Sequence, residues 1–238
     1  MTLSTESDLR DALADGISLV VAVGDDVVEQ ARVSLRWARQ TFRDRVVVAS
    51  SMGDEVLVHL AGRAASGVDV LFIDTGYHFA ETLGTRDAVA ATYDVNVRTV
   101  LPLLTIGDQA AGLGPDLYRR DPDRCCAIRK VEPLERGLQD YDAWVTGMRR
   151  EDAPTRRDID VVGWDARRGK LKLNPLAGWT QADVDRYAEE HGVLLNPLRQ
   201  LGYTSIGCEP CTRVVAPGED PRAGRWAGTG KTECGLHT

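Results

Sequence analysis

Short apolar runs alternate with segments of helical spacing along the first hundred residues. The runs RVVVASS (45–51) and GVDVLFIDTG (67–76) are continuous and rich in β-branched residues, which is typical of strands buried on both faces. Apolar residues recur at helical spacing over 27–42, in EVLVHLAGRAA (55–65) and at about 78–92. This alternation predicts an α/β fold, in which helices cover both faces of a mostly parallel, twisted sheet.

The rest of the chain adds strands and then loses its regular spacing. Further strands are predicted in VNVRTVLP, DAWVTG, DIDVVGWD and KLKLNPL, and Thr180 is the predicted N-cap of a helix that reaches 191. Between 105 and 138 we expect a loop and then a helix that carries two adjacent cysteines. We expect one domain with three parts, which are an N-terminal helical arm (1–44), an α/β core (45–201), and a CxxC loop with an irregular, mobile tail (202–238).

Two polar turns that contain glycine follow predicted strands. One is SSMGD at 50–54, and the other is DTG at 74–76. A strand, a turn of this kind and a helix together form a backbone nest that binds anions. Ligands of parallel sheets bind at the carboxyl ends of the strands. The two turns are therefore predicted to line a ligand site.

The composition narrows the classes of function. The chain has 238 residues and a formal net charge of −7, which argues against general binding of nucleic acid. No apolar run reaches the roughly 18 residues of a membrane span. The polar, acidic start has no features of a secretory signal, so we expect a cytoplasmic protein without membrane association. Of the 29 basic residues 25 are arginine, but a coding bias can explain that count, so position is more informative than number.

The five cysteines divide into four and one. Cys208 and Cys211 form a CxxC pair, Cys125 and Cys126 are adjacent, and Cys234 stands alone near the end of the sequence. An odd number in a cytosolic chain argues against a disulfide framework. Four thiolates suit a 4Fe–4S cluster or a zinc ion, and a redox CxxC with two buried cysteines is the alternative without metal. The adjacent pair favours the cluster, because a cuboidal cluster spreads its ligands farther apart than one ion does.

Basic residues lie close in sequence to the cysteines and turns, and together they favour a shared anion site. They are Arg129, Lys130, Arg149, Arg150, Arg156, Arg157, Arg222 and Arg225. Any one of them alone is typical of a solvated surface. A shared anion site would also stabilise a thiolate at Cys234. His237 offers that thiolate an ion-pair partner, although simple exposure of this histidine is equally consistent with the sequence.

Six motifs in this chain resemble one family. SSMGD, IDTGYHFAET, CCAIRKVEPL, WVTGMRREDAPTR, CEPC and GRW with KTECGLH are similar to motifs of the assimilatory adenylylsulfate reductases. These form the iron–sulfur subgroup of the phosphoadenylylsulfate reductase family, which has the PP-loop, Rossmann-like fold. The resemblance covers about 45–238.

The resemblance implies a role for each motif. Cys234 would attack the sulfur of adenosine 5′-phosphosulfate, release AMP and form an S-sulfocysteine, from which thioredoxin or glutaredoxin releases sulfite. Cys125, Cys126, Cys208 and Cys211 would hold a 4Fe–4S cluster. The residues implied to bind substrate are Ser50, Ser51, Asp74, Thr75, Gly76, Lys130, Gly147, Arg149, Arg156, Arg157, Arg222 and Arg225.

Some alternatives stay open at this stage. The segment SSMGD departs from the Gly-Ala-Glu-Asp version of many relatives, which puts the nucleotide contacts of this turn in doubt. The substrate could carry a 3′-phosphate, or both nucleotides could be accepted. More distant readings are an ATP-dependent PP-loop ligase and a redox- or metal-responsive binding protein. The sequence leaves open whether the protein forms a homo-oligomer, and no thioredoxin-like segment is recognisable, so a separate reductant is expected.

Overall fold

The fold is built on one six-stranded sheet. The structure is a computed structural model that describes residues 5–53 and 55–237. The strands are β1 (Val46–Ala49), β2 (Val68–Ile73), β3 (Val95–Val100), β4 (Ala143–Thr146), β5 (Val162–Asp165) and β6 (Lys170–Leu173). Their order is β3-β2-β1-β4-β6-β5, and all neighbours are parallel except β5 and β6, which are antiparallel.

Helices cover both faces of this sheet, as the alternating pattern predicts. They are α1 (Glu6–Val23), α2 (Val27–Phe42), α3 (Val56–Ala64), α4 (Ala80–Thr92), α5 (Ile106–Leu113), α6 (Leu117–Arg120), α7 (Pro122–Cys126), α8 (Glu132–Gly137) and α9 (Gln181–His191). A π-helical segment, Ala127–Val131, joins α7 to α8. Within the described ranges, no helix is both long enough and apolar enough to span a bilayer.

The continuous apolar run of β1 is explained by burial on both sides. Val46 and Val48 belong to the larger core cluster, together with residues of α2 and α3. Val47 points to the opposite face, where it belongs to a second cluster with Leu134 of α8 and with Trp144, its partner on β4. A strand buried on both faces needs no polar alternation, and its sequence has none.

The helices before the sheet pack against it. Both begin with side-chain caps: Thr5 Oγ1 accepts from the amide of Asp8 at 3.1 Å, and Asp26 caps α2. Helix α1 packs on α2 and β5, and α2 packs on α3 and β1. The indole of Trp179 donates to the Val27 carbonyl at 3.0 Å, which ties the start of α2 to the segment after β6.

Two regions differ from the sequence-based expectations. The segment expected as a loop after 105 contains α5 and α6, and a capping box of Thr105 with Asp108 starts α5. Beyond 202 the chain is irregular as predicted, with a short 3-10 turn at Glu209–Cys211 and an isolated bridge between Thr212 and Arg225. The expected mobile tail is seen in a docked position, because residues 231–237 lie against the sheet and its loops.

Candidate active site

The turn after β1 is shaped by buried polar contacts. Met52 is fully buried and has a positive φ of 55°, and its carbonyl accepts from Asn196 Nδ2 at 2.8 Å. Its amide donates to Ser50 Oγ at 3.1 Å, whereas Ser51 is exposed. Asp54, the last residue of the predicted anion nest, lies outside the described residues. This turn follows β1 at the point where the strand order reverses, because β2 and β3 lie on one side of β1 and β4 lies on the other. Ligands of such folds usually bind at this point.

The turn after β2 connects the sheet to the cysteines. Thr75 is 1% exposed, and its Oγ1 lies 3.3 Å from the sulfur of Cys208. Asp74 Oδ1 accepts from the Gly76 amide at 2.9 Å, which closes the turn. Gly76 has a φ of +75°, and a Cβ there would approach Ile106 to 3.1 Å, so this position requires glycine. The predicted Asp74–Gly76 element thus borders the thiols directly.

The adjacent cysteines lie where a helix widens into a π-turn. Asp121 caps the first turn by accepting from the Arg124 amide at 2.9 Å, and both Cys125 and Cys126 are buried at the end of α7. The π-helical segment follows at once and carries Lys130, which is half-buried. π-turns are rare and often occur at functional sites, because they re-aim side chains within a continuous helix.

The CxxC loop is fixed to the turn after β2. The amide of Glu209 donates to the Tyr77 carbonyl at 2.7 Å, and the amide of Trp226 donates to the Cys211 carbonyl at 3.0 Å. Cys208 is buried and Cys211 is half-buried. All four thiols are free and line one pocket, which we call the thiol pocket. Its lining residues are Tyr77, Tyr118, Pro122, Cys125, Cys126, Arg129, Lys130, Cys208, Pro210, Cys211 and Trp226.

The thiols in this pocket oppose one another's ionisation. Burial raises the pKa of Cys125 to about 12, and the neighbouring charges of Cys126, Cys208 and Cys211 add to the rise. Burial likewise raises the pKa of Cys211 to about 11, with Cys208 adding to it and Lys130 opposing it. Four thiolates can therefore coexist here only with additional positive charge, which is what bound metal provides.

The donor set of the thiol pocket is chemically suited to a metal centre with thiolate ligands. Four cysteine thiols share this pocket, and four cysteines are the usual ligands of a 4Fe–4S cluster. Among residues 5–53 and 55–237, no three His, Cys, Asp or Glu side chains are placed as the ligands of one metal ion would be.

Two basic side chains face both the thiol pocket and Cys234. Burial lowers the pKa of Lys130, but the negative charges of Cys208, Cys234 and Cys126 outweigh it, so that the pKa of this lysine is raised. The Arg225 guanidinium stacks 4.4 Å above the Trp226 ring, and Nη1 donates to the Ile206 carbonyl at 3.3 Å. Cys234 is also among the charges that act on Arg225. The structure thus brings these predicted residues together.

A second group of charges lies where the loop after β4 meets the C-terminal segment, and we call it the arginine cluster. It comprises Arg156 and Arg222 with the carboxylates of Asp152 and Glu233. Arg156 is 8% exposed, and its Nη1 donates to Asp152 Oδ2 at 3.1 Å. The side chain of Arg149 also pairs with Asp152, at 2.9 Å. The position of these arginines near the tail makes the loop after β4 an anion-binding candidate.

Three other predicted residues have more peripheral positions. Arg157 is exposed, in contrast to its buried neighbour Arg156. Gly147 directly follows β4, where a Cβ would contact Leu57 at 3.7 Å, so the position tolerates a side chain sterically. The Nη2 of Arg149 donates to Gln181 at 2.9 Å, which directs this arginine toward the start of α9.

The tail crosses from the thiol pocket to the arginine cluster. Lys231 pairs with Asp123 beside the adjacent cysteines, and its Nζ lies 5.6 Å from the Trp226 ring centroid. Glu233 is held by Arg156, and Leu236 packs on the apolar cluster of β1 and α8. Cys234 is half-buried between these anchors.

His237 does not form the ion pair that the sequence offered. Its ring stacks on Trp144 with centroids 5.7 Å apart and planes 12° apart. Its pKa lies well below the usual range, because the ring is buried and faces four cations, Lys172, Arg156, Arg168 and Arg222. Within the described part of the chain, Nδ1 has no hydrogen-bond partner, so the imidazole is neutral and anchors the tail instead of pairing with Cys234.

Several supporting residues were not identified from the sequence. Gln109 of α5 accepts from the buried Arg129 at 2.8 Å, and Arg129 in turn donates to the Thr75 carbonyl at 3.4 Å. The capping-box motif TIGD could have predicted α5, the helix that carries Gln109. Arg168 donates to the Leu236 carbonyl at 3.1 Å, and Glu233 lies in the arginine cluster. Neither contact has a signal in the local sequence.

The fold is shared with adenylate-transferring enzymes. The structure of an FMN adenylyltransferase from Candida glabrata superposes with a TM-score of 0.55 at 16% identity, over 86% of this chain and 75% of that one, and so shows the fold alone. A phosphoadenylyl-sulfate reductase from Candida auris, solved as a phosphate complex, gives a TM-score of 0.66 at 29% identity, over 78% of this chain and 90% of that one.

Sequence comparisons define the family. A profile of the phosphoadenosine phosphosulfate reductase domain matches residues 45–214. An adenosine 5′-phosphosulfate reductase of Streptomyces coelicolor is 62% identical over 85% of this chain and 86% of that protein. One of Mycolicibacterium smegmatis is 51% identical over 100% of this chain and 98% of that protein. The chain belongs to the phosphoadenosine phosphosulfate reductase family.

Proposed function

We propose that the protein reduces adenosine 5′-phosphosulfate to sulfite and AMP in assimilatory sulfate reduction. The observation that carries this proposal is the position of Cys234, which is half-buried next to Glu233 of the arginine cluster and faces Lys130 and Arg225, the basic residues beside the thiol pocket. A thiol placed among cations is suited to attack an anionic sulfur centre, because the cations offset the repulsion between the two reactants. The names of the similar proteins support this choice of substrate.

The reaction proceeds in two balanced steps. The thiolate of Cys234 attacks the sulfur of the phosphosulfate, an S–S bond forms, and the bond from sulfur to the bridging oxygen breaks, so that AMP leaves with its electron pair. A thiolate of thioredoxin or glutaredoxin then attacks the Cys234 sulfur and expels sulfite. The second thiol of the reductant closes its own disulfide, which returns Cys234 as a thiol and oxidises the reductant by two electrons.

The basic residues have complementary tasks in this scheme. Lys130 and Arg225 are close enough to the thiolate to offset its charge and that of the sulfo group. Arg156 and Arg222 bind an oxyanion of the substrate, and the turns at Ser50–Ser51 and Asp74–Gly76 bind the nucleotide at the carboxyl ends of β1 and β2. Arg149, Arg157 and Gly147 stay predictions of the substrate set, and their geometry supports them less.

We further propose that Cys125, Cys126, Cys208 and Cys211 hold a 4Fe–4S cluster. When bound, the cluster supplies positive charge that lets four thiolates coexist and holds α7 next to the CxxC loop. The charges of Cys208, Cys126 and Cys234 all act on Lys130, which therefore links the two sites electrostatically. Five free cysteines fit a reducing compartment, which supports a cytoplasmic location, and the packing of α1 and α2 into the main core supports one catalytic unit.

The decisive experiment is mass spectrometry of the protein after adenosine 5′-phosphosulfate is added without reductant. One sulfonate should appear on the peptide that contains Cys234, and Cys234→Ser should abolish sulfite release while the protein still binds AMP. Sulfite production by the serine variant would exclude this nucleophile. Parallel rates with the 3′-phosphorylated nucleotide test the alternative substrate, and dependence of turnover on ATP would favour a ligase instead.

A further inference from the structure

Glu233, the residue directly before Cys234, is bound by two arginines. Arg156 Nε donates to Oε1 at 3.1 Å and Arg156 Nη2 donates to Oε2 at 3.0 Å, while Arg222 Nη2 donates to Oε2 at 3.4 Å. The side chain of Glu233 is 18% exposed and that of Arg156 is 10% exposed. This forked, partly buried arrangement belongs to the stronger kind of charge-assisted hydrogen bond.

All three donor nitrogens of Arg156 are already in use, and so is Nη2 of Arg222. Arg156 Nη1 donates to Asp152 at 3.1 Å, and Arg222 Nη2 also donates to the Thr232 carbonyl at 3.1 Å. A sulfo or phosphate group that binds between the two arginines would need the same guanidinium edges as the Glu233 carboxylate does. An external oxyanion therefore cannot take these donors while Glu233 occupies them.

We propose that Glu233 is an intramolecular competitor for the oxyanion site of Arg156 and Arg222. It holds the tail docked when no substrate is bound, and a substrate oxyanion displaces it. The apparent affinity for substrate is then the affinity of the undocked protein multiplied by the fraction of molecules in which the tail is undocked. This inference deepens the proposed function and rests on it, since it assigns the two arginines to the substrate.

The displacement has a local consequence for Cys234. The thiol lies between two anchors of the tail, which are Glu233 on one side and the Leu236–His237 contacts with Arg168 and Trp144 on the other. Release of Glu233 removes the anchor adjacent to the thiol, whereas the second anchor stays in place. Binding of an oxyanion at the arginines should therefore expose Cys234 without detaching the whole tail.

The test is the rate at which iodoacetamide alkylates Cys234 in the intact protein as purified, read by mass spectrometry of the tail peptide. Sodium sulfate is the probe, with sodium chloride at equal ionic strength as its control. In the wild-type protein, sulfate should accelerate alkylation in a saturable way. Glu233→Gln should be alkylated about tenfold faster without sulfate, because its neutral side chain loses the charge-assisted bonds, and sulfate should then have little further effect.

A matched variant controls for general loss of an ion pair. Glu219 pairs with Arg213 at 2.9 Å in the segment before the tail, and both residues lie outside the arginine cluster. Glu219→Gln should therefore behave like the wild-type protein. Equal alkylation rates in Glu233→Gln and wild type would overturn the proposal, and so would equal effects of sulfate and chloride.

A second measurement separates this proposal from the reaction itself. Glu233→Gln should bind AMP severalfold more tightly in calorimetry if the nucleotide phosphate uses these arginines, and should lower KM for the phosphosulfate more than it changes kcat. If Cys234→Ser still released sulfite, the proposed function would fail, but the alkylation rates would still report whether Glu233 competes with oxyanions.

Discussion

The thiol pocket and the arginine cluster lie along the docked tail, near Lys231 and at Glu233 respectively, and they differ in how their charge is balanced. In the thiol pocket, burial and then the charges of neighbouring cysteines raise the pKa values of Cys125 and Cys211, and the nearby cations Arg129, Lys130 and Arg225 offset this rise only in part. In the arginine cluster, Asp152 and Glu233 supply carboxylates that neutralise the cations. The first site therefore suits the cationic ligand that we propose for it, whereas the second site contains the anion that we propose an external one replaces.

The two sites also differ in how the chain builds them. In the thiol pocket, Cys125 and Cys126 lie at the end of a capped helix that continues into a π-turn, and Cys208 of the CxxC loop is in contact with the turn after β2. The arginine cluster joins a loop of 3-10 turns to the tail, over a separation of 77 residues between Arg156 and Glu233. We therefore expect the first site to be rigid and the second one to exchange its contacts during turnover.

The largest effect is expected from the thiol pocket. Cys208→Ser should abolish cluster binding and activity, because it removes a ligand and the contact that joins the CxxC loop to Thr75. Iron content per chain and the visible absorbance of anaerobically purified protein measure this. Cys234→Ser is the control, which should retain iron but lose activity. Full iron occupancy in Cys208→Ser would show that the pocket does not hold the cluster in the way we propose.

A smaller but still strong effect is expected from the arginine cluster. Arg156→Gln should lower kcat/KM about a hundredfold, or by roughly 3 kcal/mol of transition-state stabilisation, since it removes a buried oxyanion donor. Arg157→Gln is the comparison variant, because this neighbouring arginine is exposed and its weaker contribution to substrate binding should lower kcat/KM far less. The reverse ranking of the two variants would assign the oxyanion to Arg157.

The smallest effect is expected on the stability of the folded protein, from Lys172, a cation that lies near Arg156, Arg168 and His237 of the tail. The pKa of Lys172 is lowered to about 8, chiefly by burial and also by the nearby Arg168 and Arg156, against the opposing charge of Asp165. Lys172 is thus a destabilising cation in the folded protein below pH 8. This cost shrinks as the pH rises from 8 through the unfolded-state pKa of 10.5, and it is gone above that pH, where the lysine is neutral in both states.

Lys172→Met should therefore raise the free energy of unfolding by about 1 kcal/mol at pH 7, after allowance for partial exposure and for the lost contact with Trp144. Denaturant unfolding at pH 7 and pH 10 measures the difference between variant and wild type. The gain should shrink at the higher pH, and a gain that grows with pH would contradict the assigned charge state.

The sequence predicted most of the sheet but little of the tail. Apolar runs predicted β1 and β2, because burial on both faces leaves a pattern that can be read locally. The interval between Thr105 and Cys125 was predicted poorly, since α5 and α6 are short and their capping signal was not used. The docked tail could not be predicted, because its anchors, Arg156 and the apolar cluster around Trp144, are distant in sequence and leave no periodicity.

The four residues from Asp74 to Tyr77 border both of the ligand sites that we propose, the nucleotide site and the cluster site. They end the strand at which the nucleotide is proposed to bind, and they touch the CxxC loop through Thr75 with Cys208 and through the Tyr77 carbonyl with the Glu209 amide. If metal binding stabilises this segment, it also raises the affinity of the segment for the nucleotide. By thermodynamic reciprocity, nucleotide binding then raises the affinity for the metal by the same factor. A cell short of iron would then hold a protein that is also a poorer receptor for its nucleotide, and nucleotide in excess would slow the loss of iron.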